Sequence, residues 1–492
     1  MEKLKKEVVV IGSGTAGLAA YRAALLHTDD VITIEGGPYG TTCARVGCMP
    51  SKLLIAAAEA AHNIESAPGF GVHPGGKTEI NGREVMDRVK SERDRFVGFV
   101  IESVDEIPAK HKLRGNAQFI DDHTIQVDDK YLIEAERIVI ATGSRPAWPE
   151  SFNDLGDRLI INDDVFEWND LPKSVAVFGP GVIGLELGQA LHRLGVNVLL
   201  FGRGGTVGPL SDPAIQEYSR KAFAEEFYLD TAGEILEMYR ETKSEDGNNN
   251  NDSVFLKYVD TDGKTQSTNL DYVLAATGRK ANVDNLSIEK TTLQLDKTGV
   301  PTFDSDTMQC SLPHIFIAGD VNNEIPLLHE AADQGKIAGD NAGRFPNPQT
   351  GLRRAPISVV FSDPQIATVG VGWKKLNAKY PNCDCLAIGN VSFENQGRSR
   401  VMLKNKGLLH VYGEQGTGLF LGAEMIGPAA EHIAHLLAWA LQNRMTISEM
   451  LDMPFYHPVI EEGVRTALRD LNKKLHIGEN RLNTCPNCSS VG

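Results

Sequence analysis

The chain has 492 residues, 41% of them hydrophobic, and a formal net charge of −16 at pH 7. That length holds three or more domain-sized units with real cores, while the charge argues against nucleic acid and anionic membrane surfaces as partners. No apolar run is long enough to span a membrane, no signal-peptide pattern precedes the first strand, and the seven cysteines form no secreted framework, so a cytoplasmic protein is expected.

In chain order, the β-branched run Glu7-Val8-Val9-Val10-Ile11 reads as a buried parallel strand. It feeds Gly12-Ser13-Gly14-Thr15-Ala16-Gly17 and then a helical run, Leu18 to Ala24. In this G-x-G-x-x-G, Gly12 permits the tight turn, Gly14 lets backbone approach a pyrophosphate, and Gly17 allows close helix–strand packing. A second strand, Val31-Ile32-Thr33-Ile34, ends at Glu35, where an acid can bind a ribose hydroxyl pair.

Cys43 follows Glu35 by eight residues, and the stretch runs Thr42-Cys43-Ala44-Arg45-Val46-Gly47-Cys48-Met49-Pro50-Ser51-Lys52. Pro50 suits the first position of a helix that Leu53 to Ala58 continues, so Cys48 is expected at a helix N-terminus, where the dipole favours a thiolate. In an unbroken helix five residues rise about 7.5 Å, beyond the roughly 4.4–6.8 Å Cα separation of a disulfide. A Cys43–Cys48 bond would distort the first turn, with Gly47 making the bend possible. Such a bond is easily reduced and suits catalysis better than bracing; the alternative is two free buried thiols.

Strand, glycines, helix, acid and paired cysteines together resemble the class I pyridine nucleotide–disulfide oxidoreductases, FAD flavoproteins that include dihydrolipoyl dehydrogenase, glutathione reductase and mercuric reductase. The resemblance implies that Cys48 lies beside the flavin, that Cys43 is the interchange thiol and that Lys52 sits near the flavin edge. It departs at Gly40-Thr41-Thr42, where the family has two glycines before the threonine.

Residues 62–112 read as helical hairpin material, followed by short strands that end at Arg137 to Ile140. The next turn, Ala141-Thr142-Gly143-Ser144, resembles the one that closes the family's first FAD segment. A second strand, Ser174 to Phe178, leads into Gly179-Pro180-Gly181-Val182-Ile183-Gly184, so two dinucleotides are expected. By the resemblance these are FAD first and NAD or NADP second, with Glu186 pairing with Lys52. The strand Asn197 to Phe201 ends at Gly202-Arg203, where an NAD site carries an acid; Arg203 instead suits a 2′-phosphate. We read NADPH over NAD, against a permissive NAD site beside a solvated arginine. Residues 242–252 read as a polar hairpin tip, and Ala276-Thr277-Gly278-Arg279 echoes the earlier turn, with Gly278 expected on the NAD(P) side. The strand Ile315 to Ile317 ends in Ala318-Gly319-Asp320, where the family's second FAD segment places an Asp at the ribityl–pyrophosphate region.

From Ala355 the pattern resembles the family's dimerisation domain, with a long amphipathic helix from Glu431 to Gln442. His432 and His435 are read as structural, and no metal site is expected. Thiol–disulfide exchange needs a proton acceptor with pKa near neutrality, which a carboxylate-oriented histidine provides. The resemblance assigns this to His457 and Glu462, reaching into the other subunit of an obligate homodimer. Near the end, Cys485-Pro486-Asn487-Cys488 resembles in position the C-terminal relay pairs of thioredoxin and mercuric reductases; a disordered tail or metal clip is the other reading. Cys310, Cys383 and Cys385 receive no role.

The expected fold is α/β: two Rossmann-like dinucleotide-binding domains, for FAD and NAD(P), plus an α+β C-terminal dimerisation domain. The segments are 1–146 and 276–347 for FAD, 147–275 for NAD(P), 348–475 for dimerisation, and a tail, 476–492. The expected function is flavin-dependent dithiol/disulfide oxidoreduction through Cys43 and Cys48, most like the dihydrolipoyl dehydrogenases, with a small dithiol/disulfide or a lipoyl domain as partner. An NADPH-dependent disulfide or mercuric reductase using the C-terminal pair is the alternative.

Overall fold

The structure is a computed structural model that describes residues 1–76, 78–241, 252–380 and 385–476. The expected hairpin tip and the Cys485–Cys488 pair therefore lie outside the described residues, apart from Asp252 at the tip's edge. The chain divides into two compact units. The first joins residues 1–53, 87–148 and 278–353. Its sheet runs in the order Lys112–Arg114, Val31–Glu35, Glu2–Ile11, Tyr131–Ile140, Thr124–Val127, Ala117–Phe119, and Ile315–Ile317 pairs in parallel with the end of Tyr131–Ile140. Successive residues of the central strands enter two different cores. Val8, Val10 and Val139 pack with Leu18, Ala20 and Ala338, whereas Val9, Ile11, Ile138 and Ile140 pack with Phe119, Ile125 and Leu286. Burial on both faces is why these strands read as unbroken apolar runs.

One of those cores is closed by two helices in near-backbone contact, Thr15–Ala24 and Leu328–Arg344. A Cβ at Gly335 would lie 2.2 Å from the Ala16 carbonyl oxygen, and one at Gly339 would lie 2.1 Å from that of Ala20. No larger residue fits without separating the helices.

The second unit comprises residues 54–86, 149–277 and 354–492, described as far as 476. It repeats the dinucleotide layout in a parallel sheet ordered Tyr228–Asp230, Asn197–Phe201, Ser174–Phe178, Tyr272–Ala275, Leu159–Ile160. An antiparallel meander, Glu234–Glu241, Ser253–Val259 and Thr265–Leu270, follows. The C-terminal part is an antiparallel sheet ordered Ile357–Val360, Gln365–Gly370, Phe420–Gly427, Leu408–Glu414, Leu386–Ser392. On it, helix Ala430–Gln442 buries Ile433, Leu437 and Ala440, while Leu436 is 44% exposed.

A buried carboxylate pair ties this sheet to helix Pro213–Ala224. Glu424 accepts hydrogen bonds from the backbone N–H groups of Ser211 (2.6 Å), Asp212 (2.9 Å) and Trp373 (2.8 Å). Asp212 caps the helix by accepting from Ala214 N, and its other oxygen accepts from Tyr412 OH at 3.1 Å and pairs with His410 Nδ1 at 2.7 Å. Burial alone would raise the Asp212 pKa, but these hydrogen bonds outweigh it and hold the carboxyl below the usual range. Among the described residues no helix is long and apolar enough to cross a membrane.

Candidate active site

The first glycine turn needs each of its glycines for a different reason. Gly12 has φ +106°, and a Cβ there would lie 2.3 Å from the Ala141 carbonyl oxygen. At Gly17 a Cβ would lie 1.8 Å from the Gly12 carbonyl oxygen. Gly14 faces open space, with nothing within 4 Å of its would-be Cβ, and it opens helix Thr15–Ala24, whose first turn carries no acid. Unpaired N–H groups and the helix dipole make that space an anion site. Across the turn, Glu35 is fixed at both oxygens, accepting from Ser13 N at 2.8 Å and from Gly37 N at 2.7 Å. A dinucleotide such as FAD fits this frame: its pyrophosphate has open backbone to approach, and its ribose has a held carboxylate.

Thr142 and Gly143 are clamped to a distant loop. Thr142 Oγ1 donates to the Asn282 carbonyl at 2.7 Å, and Asn282 N donates to the Gly143 carbonyl at 2.9 Å. Asp320 accepts from Ser144 Oγ at 2.8 Å, and Ser144 Oγ in turn accepts from Arg279 Nε at 2.8 Å. The turn before Asp320 is held by Gln334, fully buried, which accepts from Gly319 N and Asn322 Nδ2 at 2.8 Å each. Sequence reasoning gave Ser144, Arg279, Asn282 and Gln334 no role. A signal existed for two of them: Ala-Thr-Gly occurs twice, and the residues that follow, Ser144 and Arg279, are the ones that bond to each other.

The cysteine stretch forms two helices rather than one. Thr42–Val46 carries Cys43, and Cys48–Ser66 begins at Cys48 itself. Gly47, at φ −129° and ψ −114°, breaks them, and a Cβ there would crowd the Thr42 carbonyl oxygen at 3.1 Å and Cys43 Cα at 3.3 Å. Both cysteines are free thiols, Cys43 half-buried and Cys48 exposed. A hydrogen bond between the two side chains, followed by burial, pushes the Cys43 thiol well above its ordinary range, while the Cys48 N–H and the Lys52 charge pull against that. Lys52 Nζ donates to Ser51 Oγ at 3.3 Å, and Ser51 Oγ donates to the Cys48 carbonyl at 3.1 Å. Thr41, in the place of the family's second glycine, adopts φ 59° and ψ 152°, and its Oγ1 accepts from Ala44 N at 3.3 Å.

In the second unit Gly179, Gly181 and Gly184 repeat the three glycine functions. Gly179 and Gly184 have no room for a Cβ beside the Ala276 and Gly179 carbonyls, and Gly181 is open. Arg203 is exposed at the end of Asn197–Phe201. Gly278 has φ +125° and falls in the first unit, where its carbonyl accepts from Ala147 N at 3.0 Å. Glu186 is 4% exposed and accepts from Phe361 N at 3.0 Å. His457 is exposed, and its Nδ1 lies 2.9 Å from Glu462 Oε2, at the first residue of helix Glu462–Lys474. With Nδ1–H donated to that carboxylate, Nε2 is the basic nitrogen. Among the described residues no group of three His, Cys, Asp or Glu is arranged to hold a metal.

Residues 6–335 match the family model for pyridine nucleotide-disulphide oxidoreductases, and residues 357–468 match that family's dimerisation domain. Dihydrolipoyl dehydrogenase 2 of Haloarcula marismortui is 29% identical over 470 residues, covering 94% of this chain and 95% of that protein. Mercuric reductase of Shigella flexneri is 30% identical over 471 residues, covering 95% of this chain and 81% of that protein. Among solved structures, the HOCl-induced flavoprotein disulfide reductase RclA from Escherichia coli superposes with a TM-score of 0.76 at 19% identity, over 95% of this chain and 99% of that one.

Proposed function

Because the chain belongs to the pyridine nucleotide-disulphide oxidoreductase family, an FAD- and NAD(P)H-dependent family of oxidoreductases, we propose that it exchanges electrons between a small dithiol or lipoyl-domain substrate and a nicotinamide through Cys43 and Cys48, in the manner of a dihydrolipoyl dehydrogenase. The observation that carries this reading is the hydrogen-bonded thiol pair astride the Gly47 break, in the same compact unit as the first dinucleotide turn. The matched dimerisation domain supports a homodimer, and a cytoplasmic location belongs to the same reading.

FAD, when bound, supplies the two-electron carrier between the cysteine pair and the nicotinamide. Gly14 and the helix it opens would hold its pyrophosphate, Glu35 its adenosine ribose, and Asp320 the ribityl side. In the oxidative direction a substrate thiolate attacks Cys43 of the Cys43–Cys48 disulfide. That S–S bond breaks, a mixed disulfide forms, and Cys48 leaves as thiolate. The second substrate thiolate then displaces Cys43, so the substrate departs as disulfide and both cysteines are reduced. The partner subunit's His457 takes the substrate proton on Nε2, and Glu462 fixes its tautomer. The N-terminus of helix Cys48–Ser66 favours the thiolate that Cys48 becomes.

A second reading, an NADPH-dependent disulfide or mercuric reductase, is favoured by Gly202-Arg203 in place of a ribose-binding acid and by a mercuric reductase among the relatives. Steady-state turnover with NADH and with NADPH, each against lipoamide, dihydrolipoamide and mercuric ion, separates the two. The first reading expects lipoamide-linked turnover that is abolished in Cys43→Ser. Mercuric reduction exceeding it, and lost when Cys485 and Cys488 are changed to Ser, would establish the second. Full turnover in Cys43→Ser would remove both.

A further inference from the structure

The two dinucleotide turns correspond residue by residue through matching backbone hydrogen bonds, and they differ by a paired replacement. Gly12 N donates to the Ile34 carbonyl at 2.8 Å, and Gly179 N donates to the Phe201 carbonyl at 2.8 Å. Ile34 therefore corresponds to Phe201, Glu35 to Gly202, and Ser13 to Pro180. In the first turn Ser13 N–H holds the Glu35 carboxylate at 2.8 Å. In the second, Pro180 has no N–H to give, and Gly202 has no side chain to receive one.

The space for that side chain is also gone. A Cβ at Gly202 would lie 2.7 Å from Pro180 Cγ, 2.9 Å from Pro180 Cδ and 2.9 Å from the Thr231 carbonyl oxygen. The proline ring is rigid. Thr231 is pinned because its carbonyl accepts from Gly205 N at 2.9 Å, and Gly202 N itself donates to the Asp230 carbonyl at 2.7 Å. Arg203, next along, is exposed, and among the described residues its guanidinium makes no hydrogen bond or ion pair.

We propose that Pro180 and Gly202 are specificity-determining residues that shut a ribose-binding carboxylate out of the second turn, leaving a site for a 2′-phosphorylated adenosine that Arg203 receives. An acid here would accept both ribose hydroxyls and repel a 2′-phosphate; its exclusion removes the first interaction and the second penalty together. The proposal rests on the nicotinamide reading of the second unit, deepens it to one coenzyme class, and makes a prediction which that reading alone does not: an acid at 202 works only if Pro180 is changed too.

The test uses the holoprotein and three nucleotides, 2′,5′-ADP, 3′,5′-ADP and 5′-AMP, with affinities from calorimetric titration and melting temperatures from circular dichroism. Wild type should bind 2′,5′-ADP about 10–100-fold tighter than 5′-AMP, the range of a charge-assisted contact to phosphate, and Arg203→Ala should erase most of that ratio. Gly202→Glu alone should melt lower and gain nothing for 5′-AMP. Pro180→Ser with Gly202→Glu, which copies the first turn, should recover melting temperature and favour 5′-AMP. Tighter 5′-AMP binding by Gly202→Glu alone at an unchanged melting temperature would overturn the role of Pro180 while leaving the nicotinamide reading intact. Equal wild-type affinity for 2′,5′-ADP and 5′-AMP, or for 2′,5′-ADP and 3′,5′-ADP, would overturn the 2′-phosphate assignment, whatever the dithiol turnover. No binding of any nucleotide would remove the nicotinamide reading itself.

Discussion

Replacing Thr41 by glycine should stabilise the protein, although it deletes a hydrogen bond. Thr41 sits at φ 59° and ψ 152°, a region almost reserved for glycine and least suited to a β-branched residue. Holding a residue there costs about 1–3 kcal/mol. The preceding Gly40 is also left-handed, at φ +115°, and a Cβ there would meet Val97 Cγ1 at 2.8 Å, so the neighbour cannot absorb the strain. Against the relief stand about 0.5–1 kcal/mol of extra chain entropy for glycine and a few tenths for the lost cap on Ala44 N, because glycine is a tolerable N-cap. The net expectation is a gain of about 1 kcal/mol, or roughly 2–4 °C if a unit of some 200 residues melts cooperatively. Thr41→Ala keeps the backbone strain and loses the cap, so it should cost about 1 kcal/mol. Urea and thermal unfolding followed by circular dichroism would rank the three proteins as Gly, wild type, Ala. A glycine variant as unstable as the alanine variant would show that the side chain, not the backbone, governs this turn.

The two kinds of glycine in the first turn should separate experimentally. Gly14→Ala should leave the melting temperature of the FAD-free protein unchanged and weaken FAD retention, whereas Gly17→Ala should lower the melting temperature of the FAD-free protein itself, since its methyl would lie 1.8 Å from the Gly12 carbonyl oxygen. Asp212→Ala should cost about 2–4 kcal/mol in urea unfolding, from a lost cap and the stranded Tyr412 hydroxyl and His410 ring. Adding Tyr412→Phe should return part of that cost, and strictly additive losses would count against the shared carboxylate. Burial raises the Cys310 pKa, so the native state keeps a proton that the unfolded chain releases above about pH 8.5. Its contribution is complete below that pH and falls by about 1.4 kcal/mol per pH unit above it. Urea midpoints at pH 8, 9 and 10 should therefore decline less steeply in Cys310→Val than in wild type, and parallel slopes would refute the assignment.

What could be read from the sequence follows from how local each physical constraint is. Gly12, Gly17, Gly179 and Gly184 are demanded by contacts with their own turn or with the strand end beside it, so a six-residue pattern reveals them. Glu35 was legible because strand length alone puts it beside that turn. The Gly47 break was legible from the rise of a helix, although the second helix starts at Cys48 and not at Pro50. The Ser144–Arg279 contact left only the repeated Ala-Thr-Gly as a trace, because antiparallel pairing of Ser144–Pro146 with Arg279–Ala281 joins residues 135 apart. No trace marks Asp212 with His410 and Tyr412, about 200 positions away, where loop composition reads as solvent exposure and the structure finds a buried anchor.

The Pro180–Gly202 exclusion lies between these extremes. Each residue taken alone reads as a neutral variation: a proline in a variable slot of a glycine motif, and a glycine where an acid is customary. Their dependence appears only when the first turn is used as the template for the second, because Ser13 N–H and the Glu35 carboxylate are two halves of one interaction. Removing the acid alone would strand a donor N–H, and inserting proline alone would strand a carboxylate. Changing both leaves nothing unpaired, so an internal repeat can switch its ligand only by a paired step. A fold that carries two copies of one binding turn thus supplies its own control, and differences between the copies are the first place to look for what distinguishes their ligands.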